Sequence, residues 1–481
     1  MFYHLITIDN FYSDLIKNHT PNIPTGRKLW HYSWAYIFYL FDIDSSQIFL
    51  RAKIIHVIQT IISLTSIYYF SNVIIRNVFK DIPSVQLRWL SLWSVLIWLT
   101  IFATFSTAYH HVWMIWYSVN YQITLPLFWY MLGLTLVLLL EKTSWKIKLF
   151  FILQIILLTR FILQVHSMEF LYYLMHMSIF GLVFADKVYL FLKRYFYLII
   201  PLILVTIYMF KHYQPEKSKL FKYLSWEKLP ELYAYIMKAG AYLINGYNRA
   251  FASINELMYF ILYFAIVFLT YLFWKRYKGE KLKIEWRVLL FTILTSLFVL
   301  IPLYQFSGGV FSVITKMVVV NRLYYSASIF VLIPLFYYAL FQNYKPGHIH
   351  LFIAFTLISV TLFSKYYNGL NHNYYKNILS IKDSFNERRV GFNLSQEQIN
   401  TIGKMIVNYE QNKHTNKKIK FYARTDIAFV IKYIYHKNVY WEGRRENPDY
   451  VKIYEENKYD KEYYPILFEI PQKFPQYESF T

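Results

Sequence analysis

The chain alternates long apolar runs with short charged loops, between a polar, aromatic leader and a polar tail. Runs long enough to cross a bilayer, about 20 residues each, fall near residues 52–75, 86–106, 121–140, 148–165, 170–186, 192–210, 256–274, 288–305, 324–342 and 349–365. They are apolar all round, as suits helices that face lipid or sit inside a bundle. The pattern predicts a mainly α fold, a polytopic transmembrane helix bundle of about 10 spans. It divides the chain into an outer aromatic and acidic loop at 1–51, the bundle at 52–365 and a C-terminal domain at 366–481.

Loop charge orients the bundle. With residues 1–51 outside, the inner loops 76–85, 141–147, 187–194, 275–287 and 343–348 carry 14 Lys or Arg in 44 residues. The outer loops 107–120, 166–169, 211–255 and 306–323 carry 9 in 81. The cluster Lys275, Arg276, Lys278, Lys281, Lys283 and Arg287 is the strongest single signal. Basic residues favour the cytoplasmic side, so both ends of the chain are expected outside. Met1-Phe2-Tyr3-His4 shows no basic region or long apolar core of a cleavable signal. Export of the leader therefore suggests a further helix ahead of it, with residues 2–8 as its tail and about 11 spans in all.

The outer connections have their own pattern. Residues 231–254 place Leu232, Ile236, Leu243 and Tyr247 apart from Lys238, Asn245 and Arg249, as an amphipathic helix in the membrane interface would. Residues 308–320 are apolar but too short to span, and suggest a re-entrant or interfacial segment. In the tail, Ser395 and Glu397 precede Ile399, Ile402, Met405 and Ile406, a capped amphipathic helix. Lys418 to Ala423 alternates like a strand, Asp426 to Tyr435 reads as a helix, and Asn438 to Trp441 as another strand. That order predicts a small α/β module on the extracytoplasmic face.

Composition agrees with a membrane protein. The chain is 57% hydrophobic, with a mean hydropathy of +0.28, too apolar for an ordinary soluble globule. Its net charge of +22 belongs with cytoplasmic loops facing anionic lipid rather than with nucleic acid, since no recognition motif accompanies it. With no cysteine at all, disulfides, iron–sulfur clusters and thiolate zinc sites are excluded. Phosphate-binding, dinucleotide and metalloprotease motifs are absent too, which argues against a nucleotide-driven pump or a redox enzyme.

Candidate chemistry concentrates near the outer face. Asp9, just after a short apolar start, could act as a general base on an incoming hydroxyl, and Asp14 shares that position. An ordinary cap or solvated loop residue is the competing reading for both. Asp42-Ile43-Asp44 matches a metal-holding D-x-D pattern, but a turn and helix start fits it better. His110 and His111 stand among Trp113, Trp116, Tyr117 and Tyr121; they could bind phosphate, a metal or a sugar hydroxyl, or the aromatics could form an interfacial belt. Arg160 lies inside a span, where a charge is costly, with His166 and Glu169 on the same outer side. Arg322 begins a span from the outer face and could clamp a lipid phosphate. Arg249 and Lys316 are weaker candidates, and each of these cations could equally anchor the interface.

This arrangement resembles the GT-C superfamily of membrane glycosyltransferases. The resemblance rests on architecture: many spans, a large first outer loop, an acidic residue near the start and a C-terminal outer domain. It implies an enzyme of the bacterial cytoplasmic membrane. Such an enzyme transfers a sugar from a polyprenyl-phosphate-linked donor to a glycan or lipid acceptor, with inversion. Asp9, or Asp14 in its place, would assist the acceptor. Arg322, with His110, His111, Arg160, Arg249 or Lys316, would hold the donor's phosphate or sugar. No cofactor is implied, a divalent metal is left open, and membrane lipids are the expected surroundings. This chain departs from the pattern in lacking the usual first helix and a clear Asp-Glu pair. An O-antigen polymerase or ligase and a lipid-linked glycan flippase are competing readings. A scaffold whose tail binds a partner is a third.

Overall fold

A computed structural model describes residues 2–16, 28–44, 47–104, 121–194, 226–241, 284–298, 304–314, 326–341, 396–412, 417–423, 425–433, 435–440, 450–459 and 462–468, with 271, 301 and 323. Helices dominate these residues, and two short strands lie near the C-terminus. The chain forms two compact units. The first holds residues 1–61, 108–123 and 372–481, and the second holds 62–107 and 124–371.

In the first unit, the leader expected as a loop contains two helices, α1 (Phe2–Ile16) and α2 (Lys28–Leu40). They pack on each other. Buried residues of α2 recur at helical spacing, Trp30, His31, Trp34, Ala35 and Phe38, and α1 buries Ile8 and Tyr12. Each large apolar side chain so buried contributes about 1.5–3 kcal/mol. Phe11 and Tyr32 meet edge to face at 5.9 Å, a favoured aromatic geometry.

Helix α2 ends in a tight reversal. Ile43 N–H donates to Phe38 O at 2.9 Å and Asp42 N–H to Tyr39 O at 3.3 Å. Asp42 sits between them with φ of 49°. These are the bonds of a Schellman cap, which normally prefers glycine at the left-handed position. Asp44 Oδ1 then accepts from Gln47 N–H at 3.2 Å, just ahead of α3 (Ile48–Val78). The two aspartates of the D-x-D pattern therefore take up the turn-and-cap role, Asp42 through its backbone and Asp44 through its carboxylate.

The C-terminal part of this unit comprises α12 (Gln396–Gln411), β1 (Lys418–Tyr422), α13 (Thr425–Tyr433), α14 (Tyr450–Glu456) and β2 (Tyr463–Leu467). β1 and β2 run parallel, with Phe421 opposite Ile466. Val439 bridges Phe421 as well, also parallel. Ile402, Ile406, Phe421, Ile427, Val430, Ile431 and Phe468 form the core, with Tyr409, Phe421 and Phe468 in mutual ring contact.

The second unit continues α3 and adds α4 (Ser84–Thr104), α5 (Tyr121–Leu140), α6 (Trp145–Val165), α7 (Met168–Val183), α8 (Ala185–Arg194), a helix at 229–241, α9 (Trp286–Ser296), α10 (Gln305–Ile314) and α11 (Ile329–Phe341). Three helices among the described residues are long and apolar enough to cross a membrane: Leu50–Val78, Ile123–Leu140 and Trp145–Val165. Met168–Val183, Trp286–Ser296 and Ile329–Ala339 are shorter apolar helices. Phe70, Phe128, Trp129, His176, Phe291 and Phe330 build a continuous aromatic core. Within it Thr295 and Ser296 hydroxyls meet Ser328 Oγ at 2.6 and 3.1 Å, joining α9 to the start of α11.

Loops that the charge count assigns to one side are tied together. Arg76 donates to both Glu141 oxygens at 2.9 Å, and Asn77 adds a third bond at 2.8 Å. Lys80 reaches Glu285 at 3.3 Å, and Arg287 reaches Asp186 at 2.7 Å. Two segments assigned to the other side also meet. The helix at 229–241, the described part of the expected amphipathic segment, crosses α10, which holds the described part of the expected re-entrant stretch at 308–320, where Gln305 Nε2 donates to Met237 O at 2.9 Å. A methyl group on Gly240 would stand 1.8 Å from Gln305 O, and one on Gly309 would stand 2.1 Å from Ile236 O. Only glycine allows two backbones this close.

Gly240→Ala and Gly309→Ala are each expected to destabilise by about 1–3 kcal/mol, the usual cost of overpacking. Gly181, with nothing within 4 Å of its added methyl, should instead gain about 0.5–1 kcal/mol on mutation to Ala. Thermal unfolding of the three variants in one detergent measures the contrast.

Candidate functional site

The strongest polar constellation in the first unit forms around Arg51, in the first turn of α3. Its side chain is 1% exposed. Nη1 donates to Asp9 Oδ1 at 2.9 Å. Nε and Nη2 donate to Ile43 O at 3.0 and 2.5 Å. The Schellman reversal presents that carbonyl. The guanidinium carbon lies 3.9 Å from the centroid of the Tyr12 ring and 5.3 Å from that of Phe38, so cation–π attraction adds to the ion pair. Burial pushes the Tyr12 phenol above its ordinary pKa, against the opposing pull of Arg51.

Each component follows from local sequence. Asp9 and Tyr12 are three residues apart on α1 and share a helical face. Phe38 closes the buried stripe of α2, and Ile43 follows the cap. A buried guanidinium is tolerated only when its charge is paired and its N–H groups are bonded. Here a carboxylate and a carbonyl do both. The Asp9 side chain keeps 14% exposure, so the carboxylate is held in place while part of it meets the surroundings.

Of the residues singled out from the sequence, Asp9 is in this site. Asp14 is exposed further along α1. Arg160 is exposed on α6, a helix whose apolar side chains are also largely exposed. His110, His111, Arg249, Lys316 and Arg322 lie outside the described residues. His166 and Glu169 are brought together at the α6–α7 corner, both buried, with Nδ1 and Oε2 2.5 Å apart. Among the described residues no group of three or more His, Asp or Glu could hold a metal.

Sequence reasoning passed over Arg51, which marked only the edge of an apolar run. The available signal was an arginine placed inside the first turn of a spanning segment, where an ionisable residue needs a partner. It also passed over His176. That side chain is fully buried, ringed by Phe128, Trp129, Phe291 and Phe298, and its Nδ1 lies 2.8 Å from Tyr172 O.

The chain matches no family model, no curated protein and no solved structure. Its fold and composition define a mostly helical protein with segments able to cross a membrane.

Removing Asp9 strands a buried cation. Asp9→Ala is expected to destabilise by about 3–5 kcal/mol, whereas Asp9→Asn combined with Arg51→Met, which removes both charges, should cost much less. Unfolding midpoints of the single and double variants measure the difference.

Proposed function

We propose that this chain is a membrane glycosyltransferase of the GT-C type, with about 10 or 11 spans and its C-terminal α/β module outside the cytoplasm. The observation that carries the reading is the carboxylate of Asp9. It is partly exposed, near the start of the first spanning helix, and fixed by a buried arginine. A carboxylate held in one orientation can direct an acceptor hydroxyl and take up its proton.

The acceptor oxygen attacks the anomeric carbon of a polyprenyl-phosphate-linked sugar. The bond from that carbon to the phosphate oxygen breaks, the lipid phosphate leaves with the electron pair, and the configuration inverts. Asp9 accepts the acceptor's proton. Arg322, with His110, His111, Arg249, Lys316 or Arg160, stabilises the leaving phosphate, a role for which guanidinium geometry is well suited. The glycosyl phosphate itself supplies the driving force. The ion pairs bring residues near the loops that the charge count groups on one side close together, as a shared side for those loops requires.

The test is sugar transfer by the purified full chain in lipid nanodiscs, from a panel of polyprenyl-phosphate sugars to glycan and lipid acceptors. Asp9→Asn should reduce transfer by about 10²–10⁴-fold, the usual worth of a positioned acid or base. Asp14→Asn should leave it near the wild-type rate. Undiminished transfer by Asp9→Asn would remove Asp9 from the mechanism.

A further inference from the structure

Helix α2 is aromatic on two faces. The buried face carries Trp30, Trp34 and Phe38, while Tyr32, Tyr36 and Tyr39 follow one another at helical spacing on the other. Tyr36 is 44% exposed, Tyr39 42%, Leu40 60% and Phe41 72%. Tyr32 and Tyr36 rings lie nearly parallel, 6.3 Å between centroids. A soluble surface seldom gathers this many large apolar groups without a partner.

The start of α3 continues the same character. Leu50, Val57, Ile58 and Ile61 are exposed on the first turns of a helix long and apolar enough to cross a membrane. Lys53 is exposed among them, and a lysine near the end of such a helix can extend its ammonium to the polar boundary. The link between the two patches is short and fixed. Phe41 precedes the Schellman reversal, and Arg51 on α3 holds the Ile43 carbonyl just beyond it. The exposed end of α2 is thereby anchored to the beginning of the spanning helix.

We propose that the exposed face of α2, with Tyr36, Tyr39, Leu40 and Phe41, lies in the lipid headgroup and acyl boundary, so that the α1–α2 pair rests on the membrane surface. Tyrosine suits this depth, because its ring enters the apolar layer while its hydroxyl stays hydrated. Leu40 and Phe41, without hydroxyls, stand next to the spanning helix and go deeper. The polar positions Asn10 and Asp14 of α1 are exposed as well, and remain in water. A carbohydrate platform is the main rival for an exposed tyrosine row, but Leu40 and Phe41 offer a sugar no hydrogen bond.

The chain has no cysteine, so single cysteines can be placed without removing any. Tyr36→Cys, Tyr39→Cys, Phe41→Cys and Asn10→Cys would each carry a nitroxide label in full-length protein in phosphatidylcholine–phosphatidylglycerol vesicles. Collision with oxygen and with a water-soluble nickel chelate reports depth. Labels at 36, 39 and 41 should favour oxygen, at a depth of about 5–10 Å for a helix in the interface, with 41 deepest. The label at 10 should favour the chelate. Chelate access at 36, 39 and 41 equal to that at 10 would overturn the proposal. So would protection of those sites by soluble oligosaccharide in lipid-free detergent.

Discussion

One buried guanidinium holds the N-terminal architecture together. Arg51 cannot sit in an apolar environment with an unpaired charge, so its surroundings must deliver an anion and carbonyl acceptors at once. Asp9 comes from one helix and Ile43 O from the turn after another, while Tyr12 and Phe38 cover the faces of the cation. Each partner fixes a different degree of freedom: the position of α1, the exit of α2 and the entry of α3. The hydrophobic stripe of α2 buries Trp30, Trp34 and Phe38, and the arginine ties α1, the turn after α2 and the start of α3 at one point. In the proposed enzyme the same contact gives Asp9 its fixed orientation, so stability and chemistry draw on one interaction.

The second unit solves its polar problem at the helix ends. Arg76, Lys80 and Arg287 each find a carboxylate from another segment. The Glu141 carboxylate receives three donors, two from Arg76 and one from Asn77. Between α9 and α11, hydroxyls carry the polar contacts. Thr295, Ser296 and Ser328 bond one another and nearby carbonyls, which lets the helices approach without stranding a polar atom.

Much of this was legible in the residues, and the losses have identifiable causes. Three of the apolar runs match helices long and apolar enough to cross a membrane, Leu50–Val78, Ile123–Leu140 and Trp145–Val165, because all-round hydrophobicity over some 20 residues leaves few alternatives; the runs at 192–210, 256–274 and 349–365 lie almost wholly outside the described residues. The spacing of Ile399, Ile402, Met405 and Ile406 announced α12, and the alternation from Lys418 announced β1. β2 went unread because Pro465 interrupts its pattern; as an edge strand it tolerates a missing donor. α1 was read only at residues 2–8, as the tail of a helix, and α2 went unread, because tyrosines, histidines and aspartates crowd them and blur the helical period. The Asp9–Arg51 pair lies 42 residues apart in sequence, and no local pattern encodes such a meeting. Asp9 drew attention by type and place, while the residue that makes it distinctive could be found only in three dimensions.

The crossing of the 229–241 helix over α10 has a mechanical consequence. Most helix contacts pass through side chains, which can change rotamer and let one helix slide on the other. At Gly240 and Gly309 main chain rests directly on main chain, and Gln305 pins the contact with a bond to Met237 O. Such a joint has no slack. With no side chain between the two segments to absorb a displacement, a shift of one must be met by a shift of the other backbone.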